Sequence, residues 1–294
     1  RTAISTGTIY LPQKQDIFGQ DIDKPLLLGG LGKGYKLEEG NLKCISVLTG
    51  NINGLGSGNA TRVMKEKAGV KLLAFNTSLD NLFVMALRAT YLSNNAFRDT
   101  NDYTRMRSRL IIEAKDSSYF IHCIPGSKKV YTPPAEKMFC YEIIRPLSDS
   151  LNISAVALTE LNNYFGNLLG IEAIKEKRRV KCWVLVRLTE RSIPYTKGGP
   201  TELSIDPENK LILLHNYSID DFLRSLMDAE MFNYTIPVIN ETGISQPLDL
   251  IINADPADPV SVGKALGKYG LNLVLAERVL DMNVIREKKS TIVN

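Results

Sequence analysis

A chain of 294 residues with 44% apolar and 23% charged side chains is ordinary globular material, long enough to bury a core and neither disordered nor fibrous in composition. Thirty-six Lys and Arg against 32 Asp and Glu leave a formal charge of +4, too small and too dispersed to single out nucleic acid as a partner. No stretch reaches the roughly 18 apolar residues of a membrane-spanning helix, so no transmembrane segment is expected.

Residues 1–65 show no sustained period and read as an irregular segment with short strands, Lys43 to Leu48 being one. The chain opens at Arg1 without an initiator Met or a charged-then-apolar leader, which points to a removed signal or to excision from something longer. Two glycine clusters stand here, Gly29-Gly30-Leu31-Gly32-Lys33-Gly34 and Gly54-Leu55-Gly56-Ser57-Gly58. Successive glycines let backbone N–H groups turn toward a phosphate. The first cluster, however, has Tyr35 where the dinucleotide fingerprint needs glycine and Gly34 where a P-loop needs Ser or Thr. With no helical pattern following, both read as loops.

A first lobe, 66–197, begins with the apolar run Val70 to Phe75, a strand, followed by Ser78 as a helix N-cap. Leu79, Leu82, Phe83, Ala86 and Leu87 recur at helical spacing and predict one face turned to a core. Met106 to Ala114 reads as a strand. A looser insert, 116–138, carries Pro125-Gly126 and Pro133-Pro134. Phe139 to Ile144 is the next strand, and Ser154 to Leu169 a helix with apolar Val156, Leu158, Leu161, Phe165 and Leu168, stopped by Gly170. Ile171 to Lys175 and Val180 to Leu188 then predict a hairpin, with the cationic run Lys175 to Lys181 as its solvated turn; as function, that run is a candidate phosphate or anionic-surface patch. Trp183, the single tryptophan, reads as core.

Pro194 to Pro200, with Gly198-Gly199, marks a domain boundary. The second lobe, 198–288, repeats the plan. It has a strand at Leu211 to Leu214, Ser218 as cap, a helix to about Glu230, a short strand and turn at Ile236 to Gly243, and a strand at Leu248 to Asn253. A helix from Pro259 to Tyr269 follows, stopped by Gly270, with a hairpin of Leu271 to Ala276 and Leu280 to Arg286 and a tail over 289–294. An offset of 140 lays Asn76-Thr77-Ser78-Leu79-Asp80 on Asn216-Tyr217-Ser218-Ile219-Asp220, and an offset of 100 lays Gly170-Ile171 on Gly270-Leu271. The expected fold is therefore α+β, two similar lobes from an internal duplication, each a sheet with two helices packed on it.

The run "PVINETGISQPLDLIIN" from Pro237, followed by "VGKALGKYGLNLVLAERVLDMNVI" from Val262, resembles the end of the bacterial "soil-associated protein" domain of unknown function. "LTELNNYFGNLLGIEAIKEKRRVKCWVLVRL" from Leu158, "KGGP" from Lys197 and "NTSLDNLFVMAL" from Asn76 are similar to its earlier segments, so the resemblance covers about 66–287. "DKPLLLGG" from Asp23 and "SVLTGNINGLGSG" from Ser46 resemble the extension that carries this domain in thioredoxin-like, thiol-disulfide-oxidoreductase-like envelope proteins of the Bacteroidetes. The units also look like the short N-terminal docking domains of secretins and TonB-dependent receptors. The resemblance implies a periplasmic or envelope location and an upstream thioredoxin-like domain, but brings no catalytic residue with it.

Chemistry is sparse in the residues themselves. His122, beside Cys123, would sit on the opposite strand face from it, and His215 precedes the Asn216 cap region. Cys44, Cys123, Cys140 and Cys182 have no C-x-x-C spacing; three disulfide pairings are open, and buried free thiols fit the apolar settings of Cys140 and Cys182. Asp80 and Asp220-Asp221 sit where helix N-termini favour carboxylates, and Asp249, Asp255 and Asp258 lack a calcium-loop spacing. Glu241-Thr242-Gly243 reads as a turn. No catalytic residue, cofactor site or metal site is assigned. The expectation is a non-catalytic envelope module that binds a protein or glycan near Tyr195 to Thr201, the segment joining the lobes. The rival is a thiol-dependent enzyme or redox accessory domain using Cys123 or Cys140.

Overall fold

Val70 to Phe75 is rich in aliphatic and aromatic residues, and in the computed structural model it forms a strand, β3 (Val70–Thr77), buried along its whole length. The structure describes residues 43–63, 69–88, 107–123, 130–189, 193–228 and 236–288; the first glycine cluster and the 289–294 tail lie outside them. The fold is α+β, with four α-helices and four sheets among the described residues. The chain divides into two compact units: unit 1 draws on 1–97, 112–173 and 285–294, and unit 2 on 98–111 and 174–284.

Unit 1 holds an antiparallel sheet in the order β1 (Ile45–Gly50), β7 (Phe139–Arg145), β3, β2 (Gly58–Val63). Helices α1 (Leu79–Arg88) and α2 (Ile153–Leu168) pack together against one face, where Phe165 meets Phe83 and Phe139 edge-on and Tyr141 donates to Glu160 at 2.8 Å. The expected stripe of α1 is wholly buried. That of α2 is shifted: Ile153, Ala157, Leu161 and Phe165 are buried and Leu168 is exposed, since Phe165 already lies one turn from the helix end. The other sheet face carries Leu73, Phe75 and Cys140 packed with Val47, Ile52 and Leu55. It also carries an ion pair between Lys71 and Glu142, 2.9 Å long and almost completely buried.

Of the expected strand from Met106 to Ala114, Met106 lies outside the described residues and the rest holds only β4 (Leu110–Ile112). The insert is a two-strand ribbon, β5 (His122–Cys123) with β6 (Val130–Tyr131), flanked by 3-10 turns at Ser117–Tyr119 and Ala135–Lys137.

Unit 2 holds the antiparallel sheet β12 (Leu248–Asn253), β10 (Leu211–Tyr217), β9 (Glu202–Asp206), with α3 (Ile219–Asp228) and α4 (Pro259–Leu266) against it. Ile212, Leu214, Phe222, Leu226, Leu250, Ile252, Val262 and Leu266 are at the centre of its core, and Trp183 packs on its margin. Ser218 caps α3 by accepting from the Asp221 N–H at 3.0 Å, and Asp258 caps α4 through the Val260 N–H at 2.9 Å.

Both expected hairpins are absent. Ile171–Arg187 is a single 17-residue strand, β8, and Leu271–Glu287 another, β13; they lie side by side in one sheet with β4 and the short β11 (Val238–Asn240). Lys175 to Lys181 is mid-strand and solvated rather than a turn. Neither Glu176-Lys177-Arg178-Arg179 nor Glu277-Arg278 offers the Gly, Asn, Asp or Pro that a two-residue reversal demands. The two strands share one alternation of exposed and partly covered positions, exposed from 175 to 181 and from 275 to 281.

Candidate functional site

In unit 2 the segment 194–201 is strapped across the end of the β10–β12 ladder. β10 slips register against β12 between Leu214 and Tyr217, and Asn216 takes up the slack at φ 49°. A left-handed residue inside a strand costs energy for most side chains, and asparagine tolerates it best after glycine. The bulge brings three polar groups together. The Asp249 carboxylate accepts the Asn216 N–H at 2.8 Å and faces His215 Nδ1 at 3.1 Å, while the Asn216 amide donates to the Gly199 carbonyl at 2.7 Å.

The strap is fixed from its other edge as well. Thr196 donates its N–H to the Pro247 carbonyl at 3.1 Å, Asp249 donates its N–H to Pro194 at 3.0 Å, and Tyr195 is bridged to Leu248. The backbone of Gly199, at φ +116°, is one that side chains rarely adopt, and a Cβ there would stand 2.9 Å from His215 Nε2, which would have to shift. The Asn216 N–H holds the Asp249 carboxyl below the usual carboxylate range, with the Thr196 hydroxyl and His215 adding to it. His215 and Asp249 thus form the orienting half of a catalytic triad in outline. The imidazole lies beside the strap: a Cβ added to Gly199 would come within 2.9 Å of His215 Nε2. Asp249, bonded to the Thr196 hydroxyl and the Lys197 N–H, and Asn216, bonded to Gly199, hold the strap, and Tyr195 and Lys197 are exposed on it.

Unit 1 contains the same device in other chemistry. β3 slips against β7 between Ala74 and Thr77, and Asn76 sits at φ 42°. Its amide donates to the carbonyls of Ile52 at 2.8 Å and Leu55 at 2.7 Å, and its carbonyl accepts the Ile52 N–H at 2.8 Å. The position of Asp249 is taken by Cys140, whose sulfur accepts the Asn76 N–H at 3.2 Å. The second glycine cluster is the gripped loop: Gly54, at φ +83°, precedes Leu55 as Gly198, at φ +94°, precedes Gly199. Phe75 occupies the place of His215, its ring against Gly58. Asn76 and Asn216 were visible in the sequence as identical residues under the 140-residue offset, but nothing there disclosed their left-handed backbone.

The remaining candidates do not converge. Cys44, Cys140 and Cys182 are free thiols; burial pushes Cys140 and Cys182 up, away from the thiolate. The Cys123 side chain lies outside the described residues. His122 stacks on Tyr131 with centroids 4.8 Å apart, its Nδ1 3.1 Å from the Phe120 carbonyl. Asp80 is buried and accepts the Ile121 N–H, and Asp220 accepts from the Asn240 amide. Thr242 closes its turn on Asn240 Oδ1 at 2.7 Å, with Gly243 at φ 69°. Beside it Glu241, held low by Arg278, forms a two-pronged pair with that guanidinium at 2.7 Å on each arm. Asp255 and Asp258 close local turns, and no group of three His, Cys, Asp or Glu side chains suited to a metal ion occurs among the described residues. No described helix is long and apolar enough to cross a membrane. Comparison with protein-family models, curated proteins and solved structures finds no match to this chain.

Proposed function

We propose that the chain is a non-catalytic binding module of the cell envelope or periplasm, built from a duplicated helix-and-sheet unit and carried behind a thioredoxin-like domain. Its ligand, an envelope protein or glycan, meets the exposed side of the strap at Tyr195 and Lys197. The observation that supports this reading is the tethering of the strap: the Asn216 amide holds the Gly199 carbonyl, and the Asp249 carboxylate, the acid of the His215 pair, is hydrogen-bonded by Thr196 and Lys197 of the strap. Tyrosine on a tethered loop supplies a flat, amphipathic contact at small entropic cost. The test is a backbone-amide shift map with envelope-glycan oligosaccharides and, separately, with a purified thioredoxin-like domain. Shifts centred on 194–201 and lost in Tyr195→Ala support the reading; shifts centred elsewhere refute the location. The rival thiol enzyme has its own check, alkylation at pH 7. Uniformly slow labelling of Cys123 and Cys140 argues against it, and a fast-reacting thiol at either would replace the binding reading.

A further inference from the structure

The long strand β8 has one edge that is only partly used. Alternate residues of β8 direct their backbone groups away from β13. Trp183 donates its N–H outward to the Pro237 carbonyl at 2.8 Å, Leu185 accepts the Glu241 N–H at 2.9 Å, and at the far end Ala173 exchanges bonds with the Asn162 side chain at 2.7 and 2.9 Å. Lys177, Arg179 and Lys181 belong to the same alternate set, so their N–H and C=O groups face the same way. β11 pairs with β8 only from Trp183 to Leu185, and the chain bends at Ile236 just before it. Among the described residues no strand pairs with this edge at Lys177 to Lys181.

Period-two alternation also puts the side chains of Lys175, Lys177, Arg179 and Lys181 on one exposed face. The bond from the Leu188 N–H to Gly270 fixes the ladder so that Lys177 stands across from Asp281, Arg179 from Val279 and Lys181 from Glu277. The β13 side of the cationic row is therefore already lined by two acids, and the outer side by none on a described strand. Lysine on a bare edge repels stray strands. A row of four makes that repulsion selective, since it turns away cationic chains and favours acidic ones.

We propose that the outer edge of β8, from Lys177 to Lys181, is a strand-addition site for an extended acidic peptide. Its main chain pairs with Lys177, Arg179 and Lys181, and its carboxylates, at every second position, flank the same three side chains. β11, seated on the same edge a few residues further on, shows that this edge accepts a strand. The surface is separate from the strap and does not depend on the strap's ligand.

The probe is an acetylated (Glu-Thr)4 amide titrated into the full chain, followed by calorimetry and amide hydrogen exchange. Saturating peptide is expected to slow exchange at Lys177, Arg179 and Lys181 at least about tenfold, with little change on β13. The triple variant Lys177→Glu/Arg179→Glu/Lys181→Glu, checked for native circular dichroism, should bind at least about tenfold more weakly. The same peptide N-methylated at alternate residues keeps its charge and loses its backbone donors, and should not bind. Equal binding of the N-methylated peptide or of inorganic polyphosphate would reduce the site to simple charge attraction and overturn strand addition. So would the absence of protection at the three amides, or of any binding. A strap ligand that still binds the triple variant separates failure here from failure of the module reading.

Discussion

The two asparagine clamps differ in chemistry and agree in geometry. Asn76 is almost fully buried, grips two carbonyls and an N–H of its loop, and backs onto a sulfur; Asn216 grips one carbonyl, backs onto an ionised carboxylate, and lies where solvent reaches its partners. The same bulge and left-handed φ recur although Phe75 is exchanged for His215 and Cys140 for Asp249. Backbone geometry is therefore the shared feature, and the side chains around it are free to vary. The unit 2 clamp is the one whose surroundings are polar and open enough to serve a ligand.

Among the described residues, unit 1 has a buried ion pair and unit 2 has none. Lys71 and Glu142 are buried together, whereas counting from the bulge puts Leu211 and Ile251 at the matching places in unit 2. Lys71→Met takes the ammonium away from the buried Glu142 carboxylate and should cost about 3–5 kcal/mol in urea unfolding, while Lys71→Met/Glu142→Leu should recover most of it. A single variant within about 1 kcal/mol of wild type would show that the pair is not desolvated as described.

Next in size are the clamps themselves. Asn76→Ala orphans buried backbone groups and forces alanine into a left-handed backbone, for a loss of roughly 3 kcal/mol; Asn216→Ala, where water can substitute, should lose roughly 1 kcal/mol. Glycine in place of alanine should return about 1 kcal/mol at either site. Equal losses at the two positions would erase the distinction between a closed and an open clamp.

A smaller difference is expected between Gly199→Ala and Gly54→Ala. Both suffer the left-handed backbone, about 1 kcal/mol, but only Gly199 has a neighbour, His215 Nε2, in the way. Gly199→Ala should be the more damaging by a few tenths of a kcal/mol, and His215→Ala should remove that excess. The smallest effect is acid sensitivity. Asp249 is held below the usual carboxylate value in the folded chain, so its stabilisation is complete above about pH 4 and is lost as pH falls through its lower folded value. Asp249→Asn should flatten the decline of thermal stability below about pH 4, leaving the share due to Asp116, Asp206 and Glu241, which are held low by Ser118, Asn209 and Arg278.

Much of the scaffold was legible. β3, β7, β10, β12 and the four helices follow from aliphatic runs and spacing; Ser218 caps its helix as expected, whereas the buried Ser78 hydroxyl, expected to cap α1, makes no hydrogen bond, and Gly170 and Gly270 stop their helices with φ near 68° and 69° as the pattern implies. The paired long strands were not legible, because a charged run in the middle of a strand has the composition of a turn, and only the missing turn residues in Glu176 to Arg179 argue otherwise. The strap was marked by its glycines, yet it read as a linker between lobes; its bonds to Asn216 and Pro247 come from residues far along the chain, which no local pattern reports. Edge strands β2 and β9 were missed for the same reason, their residues being polar and their pairing set by a neighbour.

The account rests on Asn216 and Asn76 performing one task through different partners, and a proton NMR titration of the two backbone amides between about pH 2 and 6 reads this directly. The Asn216 amide, bonded to the Asp249 carboxylate, should move with an inflection below the ordinary aspartate value and become flat in Asp249→Asn; the Asn76 amide, bonded to the Cys140 sulfur, should stay still throughout. An Asn216 amide indifferent to pH, or an Asn76 amide that follows the same curve, would contradict it.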